Sequence, residues 1–597
     1  MCGIFGYFSR AGNSLAPDVL AAMGDAIVHR GPDDDGLFTA PGVALGNRRL
    51  SIIDIAGGHQ PFISDDGNIV VVQNGEIFNH VELARELAAS GHPCRTHSDT
   101  EVLLRLYERD GIAFLSKLNG MFAIAILDRR EQALYLVRDR VGVKPLYFAD
   151  DGGRLVFGSE IKAILPALKA TPAVDETALH HYLTFNYVPP PFTIHRGVEH
   201  VMPGTAMRIT SGGARSWRWW NLAEIAPVEG RSEADWVEEF NTILDDAVRI
   251  RMRADVPFGA FLSGGVDSST IVGLMARHSP EPINTFCIGF DDPRYDEAAF
   301  AQIAADRFGT RHVMERVDPD MLHLWPMATR QCDQPHGDVS FLPTYRVSEL
   351  AARSVKVVLT GDGGDELFAG YDKYRDFFTD PATAALDDAA FQSRYFDSIS
   401  LFGDRAKAAL YAGPARQRLS DVHSFELARQ WFAQVPHQDR VNQVLFLDTQ
   451  LLLSGNNLVK PDRMGMAVSI EARTPFLDYR MVEYAFRMPG ALKLKDGVTK
   501  YLYKKAVAPL IGEPLAYRRK QMFTVPVGDW FRDRLSGYCH DHIERLLQLG
   551  EWFDPAKVRG LLSDHVADTA NNTRELRAMI ALTHHLDLMA SSTRVAS

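Results

Sequence analysis

Cys2 follows the first methionine directly. Methionine is generally removed before a small residue, which would leave Cys2 with a free α-amino group beside its own thiol. The amino group titrates near ~8 and the thiol near ~8.5, so one residue can act as nucleophile and general base. A thiolate attacking an amide needs donors for the oxyanion that forms. Asn74-Gly75-Glu76, expected in a turn after a strand Ile69–Gln73, offers Asn74 Nδ2 and the Gly75 N–H. A substrate with free amino and carboxylate groups needs opposite charges nearby. Arg49 can fork onto a carboxylate, and Asp99 can receive an ammonium. Each residue also has a plain structural reading: Cys2 as a small buried hydrophobe, Asn74-Gly75 as turn residues, Ser98 or Asp99 as a helix N-cap.

A second constellation lies in the middle of the chain. Ser263-Gly264-Gly265-Val266-Asp267-Ser268-Ser269 follows an expected strand and opens a helix. Small residues let the backbone approach a phosphate, and the helix N-terminus presents unpaired N–H groups to it. The loop has no GxxxxGK[ST] pattern and so is not a Walker A motif. Asp267 offers a magnesium ligand. A second glycine-rich turn, Gly361-Asp362-Gly363-Gly364-Asp365-Glu366, follows the strand Val355–Thr360. Two such loops at the carboxyl ends of parallel strands fit a ligand crevice in an open α/β sheet. Taken alone, a Ser/Gly turn before a helix is a common plain feature.

These residues need elements to hold them. Up to about residue 190, short β-type runs dominate: Ile69–Gln73, Met121–Asp128, Leu134–Arg138 and Leu155–Gly158. Helical patterns at His80–Ser90 and Thr100–Asp110 interrupt them, which reads as α+β layers. Pro189-Pro190-Pro191 and Pro203-Gly204 punctuate a boundary, and Trp217-Arg218-Trp219-Trp220 reads as a packed connection between domains. After Ser232 the pattern alternates. A helix runs to about Arg253, then come strand Val256–Leu262, helix Ser269–Arg277, strand Ile283–Gly289, helix Glu297–Phe308 and strand Arg311–Val317. That order predicts a doubly wound parallel sheet. Beyond residue 380 the pattern is mostly helical, and 381–450 carries no readable motif.

Composition narrows the class. The chain has 597 residues, 46% hydrophobic and 23% charged, which predicts more than one globular domain at roughly 100–200 residues each. Its 64 basic and 76 acidic residues give a net charge of −12, which argues against a nucleic-acid or anionic-membrane binder working by bulk charge. Five scattered cysteines without a CxxC pair argue against a disulfide framework or zinc cluster and for a reducing cytoplasm. No apolar run reaches about 18 residues, and no signal-peptide pattern opens the chain.

The motifs taken together resemble a known family. Cys2-Gly3-Ile4-Phe5-Gly6, His29-Arg30-Gly31-Pro32-Asp33, Arg49-Leu50-Ser51-Ile52, Asn74–Asn79, Ser98–Glu101, Asn119–Ala123 and Arg138–Tyr147 are similar to the class II, N-terminal-nucleophile glutamine amidotransferase domain. Ser263–Ser268 resembles the PP-motif of ATP pyrophosphatases. With Thr285–Phe290, Leu359–Phe368, Asn456–Met464 and Ser469–Asp478, the whole chain resembles glutamine-hydrolysing asparagine synthetases of the B type.

That resemblance implies an α+β (αββα) glutaminase domain over 2–200 and an α/β doubly wound, parallel-sheet adenine-nucleotide domain over 230–597 with a helical C-terminal part. It implies that Cys2 attacks the glutamine side-chain amide, with Asn74 and Gly75 as oxyanion hole and Arg49, Glu76 and Asp99 holding the glutamine backbone. Leu262, Ile288, Thr360 and Gly361 would contact ATP along with Ser263, Gly264, Gly265 and Ser268. Asp267 and Asp365 would bind magnesium pyrophosphate, and Lys520 would stabilise charge around the α-phosphate. Without the family, Lys520 reads as a structural ion-pair partner. Asp362 stands where many relatives have glutamate, with the implied job of positioning or deprotonating ammonia.

The expected reaction activates the aspartate side-chain carboxylate with ATP and amidates it. Ammonia would travel by a dry route that 185–220 helps to seal. The family also implies a homodimer. Three other readings stand beside this one: another carboxylate acceptor such as a sugar uronate or a peptide, a glutaminase with an inactive synthetase half, and a nucleotide-binding regulator.

Overall fold

The computed structural model describes residues 2–290, 296–318, 321–518 and 527–595. Two six-stranded antiparallel sheets build the first part of the chain. One runs in the order Val198–His200, Tyr147–Asp150, Arg154–Gly158, Cys2–Ser9, Val43–Arg49, Asp34–Ala40. The other runs Gly213–Arg218, Thr205–Thr210, Ala133–Arg138, Gly120–Asp128, Ile69–Ile77, Phe62–Ile63.

Strand periodicity explains the layering. In Ile69–Ile77, Val70 and Val72 point into the core between the sheets, with Ile4, Leu45, Ala123 and Leu136. Ile69 and Val71 point the other way, onto a cluster with Leu83, Leu87, Val102 and Leu106. A strand buried on both faces reads as a continuous apolar run, which is how this one is written. Helices His80–Ala89 and Asp99–Asp110 cover that outer face, while Pro17–Asp25 and Ile161–Ile164 cover the outer face of the first sheet. The result is the αββα arrangement. Residue 200 falls inside it, because Thr205–Thr210 pairs with Ala133–Arg138. Trp217 and Trp219 pack on the outer cluster, and Trp219 stacks on Phe122 with ring centroids 6.1 Å apart. Trp220 turns to the second half and donates from Nε1 to Glu483 at 2.8 Å. The tryptophan segment is thus the packed connection its composition predicts.

The second half is built on five parallel strands in the order Arg311–Arg316, Asn284–Gly289, Phe258–Phe261, Val357–Leu359, Glu471–Arg473. From Phe258–Phe261 the chain first builds outward through Asn284–Gly289, then returns to the other side with Val357–Leu359. That reversal makes a crevice at the carboxyl ends of the two central strands. Helices Glu233–Arg251, Val266–His278 and Tyr501–Ile511 pack on one face. Phe341–Ala352 and Thr573–Val595 pack on the other. Beyond residue 380 the described chain is mostly helical, as expected. The exceptions are Glu471–Arg473 and a hairpin of Leu494–Lys495 with Val498–Thr499. Glu471–Arg473 escapes the sequence pattern because two of its three buried side chains are charged, and they pair with each other at 2.6 Å. No described helix is long and apolar enough to cross a membrane.

The two halves share a core. Leu50, Ile52, Met121, Val141 and Val143 of the first half belong to the same apolar cluster as Leu262, Leu359 and Phe476 of the second. Beside it, buried Asp478 accepts from Asn119 Nδ2 at 2.9 Å, Arg251 at 2.8 Å and Arg480 at 2.9 Å. Burial works to raise this carboxyl, but Arg251 and Arg480 outweigh it and hold it far below the usual carboxylate range.

A depressed acid stabilises the fold above its unfolded pKa of about 3.9, and the gain is lost as pH falls through the folded value. Asp478→Asn should therefore cost about 3–5 kcal/mol at neutral pH, since it strands a buried Arg251. The deficit in melting temperature should shrink as pH drops below about 4. A deficit independent of pH would show that the charge is not what Asp478 contributes.

Candidate active sites

Cys2 begins the strand Cys2–Ser9 and lies opposite Arg49 in the strand pair, so both project to the same face. The Cys2 thiol is buried, and burial pushes it up from its ordinary value. Hydrogen bonds from the Leu50 N–H and the Asn47 side chain work in the opposite direction. The Cys2 N–H donates to Asn74 Oδ1 at 3.3 Å. Asn74 Nδ2 donates in turn to Ser159 Oγ at 3.2 Å.

One expectation is corrected here. Asn74, Gly75 and Glu76 do not sit in a turn; they continue the strand Ile69–Ile77 and pair with Ala123, Phe122 and Met121. Glycine is needed at position 75 because φ is +136° and a Cβ would lie 1.9 Å from the Met121 carbonyl oxygen. A glycine required inside a strand carries the same sequence signature as a turn glycine.

Arg49 is buried and turned onto its own loop. Its NH1 donates to the Ile55 carbonyl at 3.1 Å, and its NH2 to those of Ile53 and Asp54 at 3.1 and 2.8 Å. Asp99 is held by Gln73 Nε2 at 3.0 Å and the Ile77 N–H at 2.9 Å. It opens the helix Asp99–Asp110 behind the N-cap Ser98, whose side chain accepts from the Thr100 N–H. Glu76 is buried among Glu471, Asp99 and Arg473. Burial, then Glu471 and Asp99, push its carboxyl well above the usual range, while Arg473 at 3.8 Å pulls it down. Its Oε2 has no hydrogen-bond partner among the described residues.

The second site forms where the crevice predicts it. Leu262 and Ser263 follow Phe258–Phe261, Ile288 lies near the end of Asn284–Gly289, and Thr360 and Gly361 follow Val357–Leu359. The loop closes on itself through Ser263 Oγ and Ser268 Oγ at 3.2 Å, and the Gly265 N–H reaches Ser263 Oγ at 3.3 Å. Gly265 caps the helix Val266–His278 without a side-chain hydrogen bond, which leaves first-turn N–H groups available to an anion. The two glycine-rich loops touch at Asp267. A Cβ on Gly361 would lie 2.6 Å from Asp267 Cβ, and one on Gly364 would lie 2.5 Å from Asp267 Oδ1.

Lys500 belongs to no recognisable sequence motif, yet it sits at the centre. Its Nζ lies 2.6 Å from both Asp267 oxygens and 2.8 Å from Asp365 Oδ1. Burial works to lower Lys500, but the two carboxylates win and raise it, so it stays charged. Asp362 accepts from Thr360 Oγ1 at 2.7 Å. Burial raises its carboxyl, against the pull of Lys460. Glu366 accepts from Tyr371 Oη at 2.6 Å and Asn457 Nδ2 at 2.5 Å. Lys520 lies outside the described residues.

A buried thiol with a strand-borne amide beside it, joined through one core to a two-loop anion crevice, defines a two-site enzyme of the amidotransferase class. Family comparison agrees with that division. Residues 1–220 match the glutamine amidotransferase domain, and residues 239–590 match asparagine synthase. The chain is 33% identical to asparagine synthetase [glutamine-hydrolyzing] 1 of Bacillus subtilis, covering 96% of this chain and 95% of that protein. Asparagine synthetase [glutamine-hydrolyzing] 3 of the same organism is 30% identical over 91% and 92%. Amidase chyE of Penicillium rubens is 28% identical over 92% and 91%. The chain belongs to the asparagine synthase family, and it is a glutamine-using carbon–nitrogen ligase.

Gly75→Ala tests the strand geometry at the first site. The added methyl meets backbone, which cannot swing aside, so we expect a loss of about 2 kcal/mol or more and a fall in glutamine hydrolysis. Melting temperature and glutamate release check it; a variant as stable and active as the parent would refute the close approach.

Proposed function

We propose that the chain is a glutamine-dependent asparagine synthetase. The observation that carries this reading is the pairing of Cys2, Asn74 and Glu76 with the Asp267–Lys500–Asp365 crevice through one apolar core. In the first domain, residues 2 to about 218, the Cys2 α-amino group takes the thiol proton and the thiolate attacks the glutamine side-chain amide. Ammonia leaves, and water hydrolyses the thioester to glutamate. Asn74 Nδ2 exchanges Ser159 for the oxyanion, with the Gly75 N–H as second donor. Glu76, with a free oxygen, and Asp99 suit the glutamine ammonium, and Arg49 suits its carboxylate.

In the second domain, from about 230 onward, Ser263, Gly264, Gly265 and Ser268 with the helix N-terminus hold ATP phosphates. Leu262, Ile288, Thr360 and Gly361 line the rest of the nucleotide site. The aspartate β-carboxylate attacks the α-phosphorus, giving an acyl-adenylate and pyrophosphate. Ammonia then displaces AMP to give asparagine. Asp362, whose carboxyl is raised by burial, would accept a proton as ammonia attacks.

Two carboxylates already bridged by one lysine fit a magnesium ion, which takes one or two carboxylates and completes its shell with phosphate oxygens. Asp267 and Asp365 would hold it, where it would neutralise the departing pyrophosphate. Lys500, in contact with both carboxylates, offsets their mutual repulsion and would reach the same phosphates. We assign it the charge-stabilising role first expected of Lys520. The shared core around Ile52, Met121 and Val143 suits unprotonated ammonia, which gains nothing from polar walls. The reading includes a cytoplasmic enzyme that pairs as a homodimer.

Asp362 favours a second reading, in which the same chemistry amidates another carboxylate. Its side chain is one methylene shorter than glutamate, so the accepting oxygen sits farther from a carbonyl held as aspartate would hold it. Incubation with glutamine, ATP and aspartate, with the product identified by mass, decides between them. Glutamate release without asparagine would sink the aspartate assignment. Cys2→Ala should abolish glutamine use yet keep ammonia-dependent synthesis. Lys500→Met should do the reverse, lowering pyrophosphate release by about 100-fold or more while glutamine is still hydrolysed. Loss of both activities in either variant would contradict two separable sites.

A further inference from the structure

The helix Val459–Met466 touches both sites. A π-helix, Thr449–Asn457, leads into it, an element often found at functional positions. On the nucleotide side, Asn457 Nδ2 donates to Glu366, and the Lys460 charge acts on Asp362. On the glutaminase side, Asp462 grips Arg30, with Oδ2 at 2.8 Å from NH1 and Oδ1 at 3.1 Å from NH2. Arg30 NH1 also donates to Glu160 at 2.8 Å, and its Nε donates to the carbonyl oxygen of Cys2 at 3.1 Å. The next residue, Arg463, donates from NH2 to the Ser159 carbonyl at 3.4 Å. Ser159 Oγ receives Asn74 Nδ2 and the Ile4 N–H. Arg30, Glu160, Asp462 and Arg463 are all buried.

We infer that Asp462, a residue of the synthetase half, is a positioning residue for glutamine hydrolysis: through the bidentate Arg30 it fixes the Cys2 carbonyl and hence the nucleophile. Arg463 fixes the oxyanion amide by the parallel path through Ser159. Neither touches glutamine, so their effect belongs in the chemical step and not in binding. Bidentate arginine–carboxylate pairs set orientation as well as distance, which is what an attacking sulfur needs. The inference rests on Cys2 as the nucleophile.

The test uses the full chain with Asp462→Asn and Asp462→Glu. Asp462→Asn removes the charge but keeps the shape. It should lower kcat for glutamine hydrolysis about 10-fold or more, leave KM within about threefold, and lower ammonia-dependent synthesis far less. Asp462→Glu keeps the charge and should recover part of kcat. Equal loss of both activities, a change confined to KM, or unchanged kcat would overturn the inference. If Asp462→Asn does not fold, Asp462→Glu alone decides: a lowered kcat at constant KM supports the inference, and parental kcat overturns it. Glutamine hydrolysis surviving Cys2→Ala would instead defeat the nucleophile assignment, so the two failures are distinguishable.

Discussion

Charge taken out of water must be paired, and the junction between the two halves is governed by that constraint. Arg30 and Arg463 face Glu160 and Asp462 with almost no solvent contact. Lys144 adds a third cation, 3.7 Å from Asp462. Removing any one member leaves a buried partner unmatched, which costs far more than a surface ion pair contributes. The sheets carrying Cys2 and the helix carrying Asp462 therefore meet in one way. Register across such a junction is specified by charge, while the apolar cluster shared by the two halves adds adhesion.

The same constraint shapes the nucleotide crevice. Asp267 and Asp365 come from different loops and repel one another, and Lys500 lets them coexist. Bringing all three together needs room at backbone level. Gly361 and Gly364 provide it at Asp267. Gly370 provides it at Lys500, where a Cβ would lie 2.2 Å from Lys500 Cε. Glycine here acts by the volume it leaves empty. The loops read as phosphate cradles, and their glycines also clear the space in which the carboxylates and the lysine meet.

Much of this was legible in the sequence, and the exceptions have physical causes. Strands such as Gly120–Asp128 declare themselves because both faces are buried, so every residue is apolar or small until the final aspartate. Both glycine-rich loops declare themselves by composition and by the strands before them. Asn74–Glu76 reads as a turn because a glycine forced by a neighbouring carbonyl looks local when its cause is across the sheet. Lys500 was invisible because its partner Asp267 is 233 residues away and nothing beside it forms a pattern. Glu471–Arg473 reads as polar chain because its charges are paired internally. Contacts distant in sequence are where periodicity and composition lose their hold.

The strand Cys2–Ser9 lies inside its sheet, between Val43–Arg49 and Arg154–Gly158. One of these neighbours, Val43–Arg49, follows it closely in the chain, but the other, Arg154–Gly158, is made some 150 residues later. The second sheet closes later still, when the hairpin ending at Arg218 arrives. Non-local pairing of this kind is slow, because the intervening loop must be closed before any bond repays it. The segment that ends up at the heart of the glutaminase half can therefore pair early along one edge only, and its other edge stays open until Arg154–Gly158 has been made.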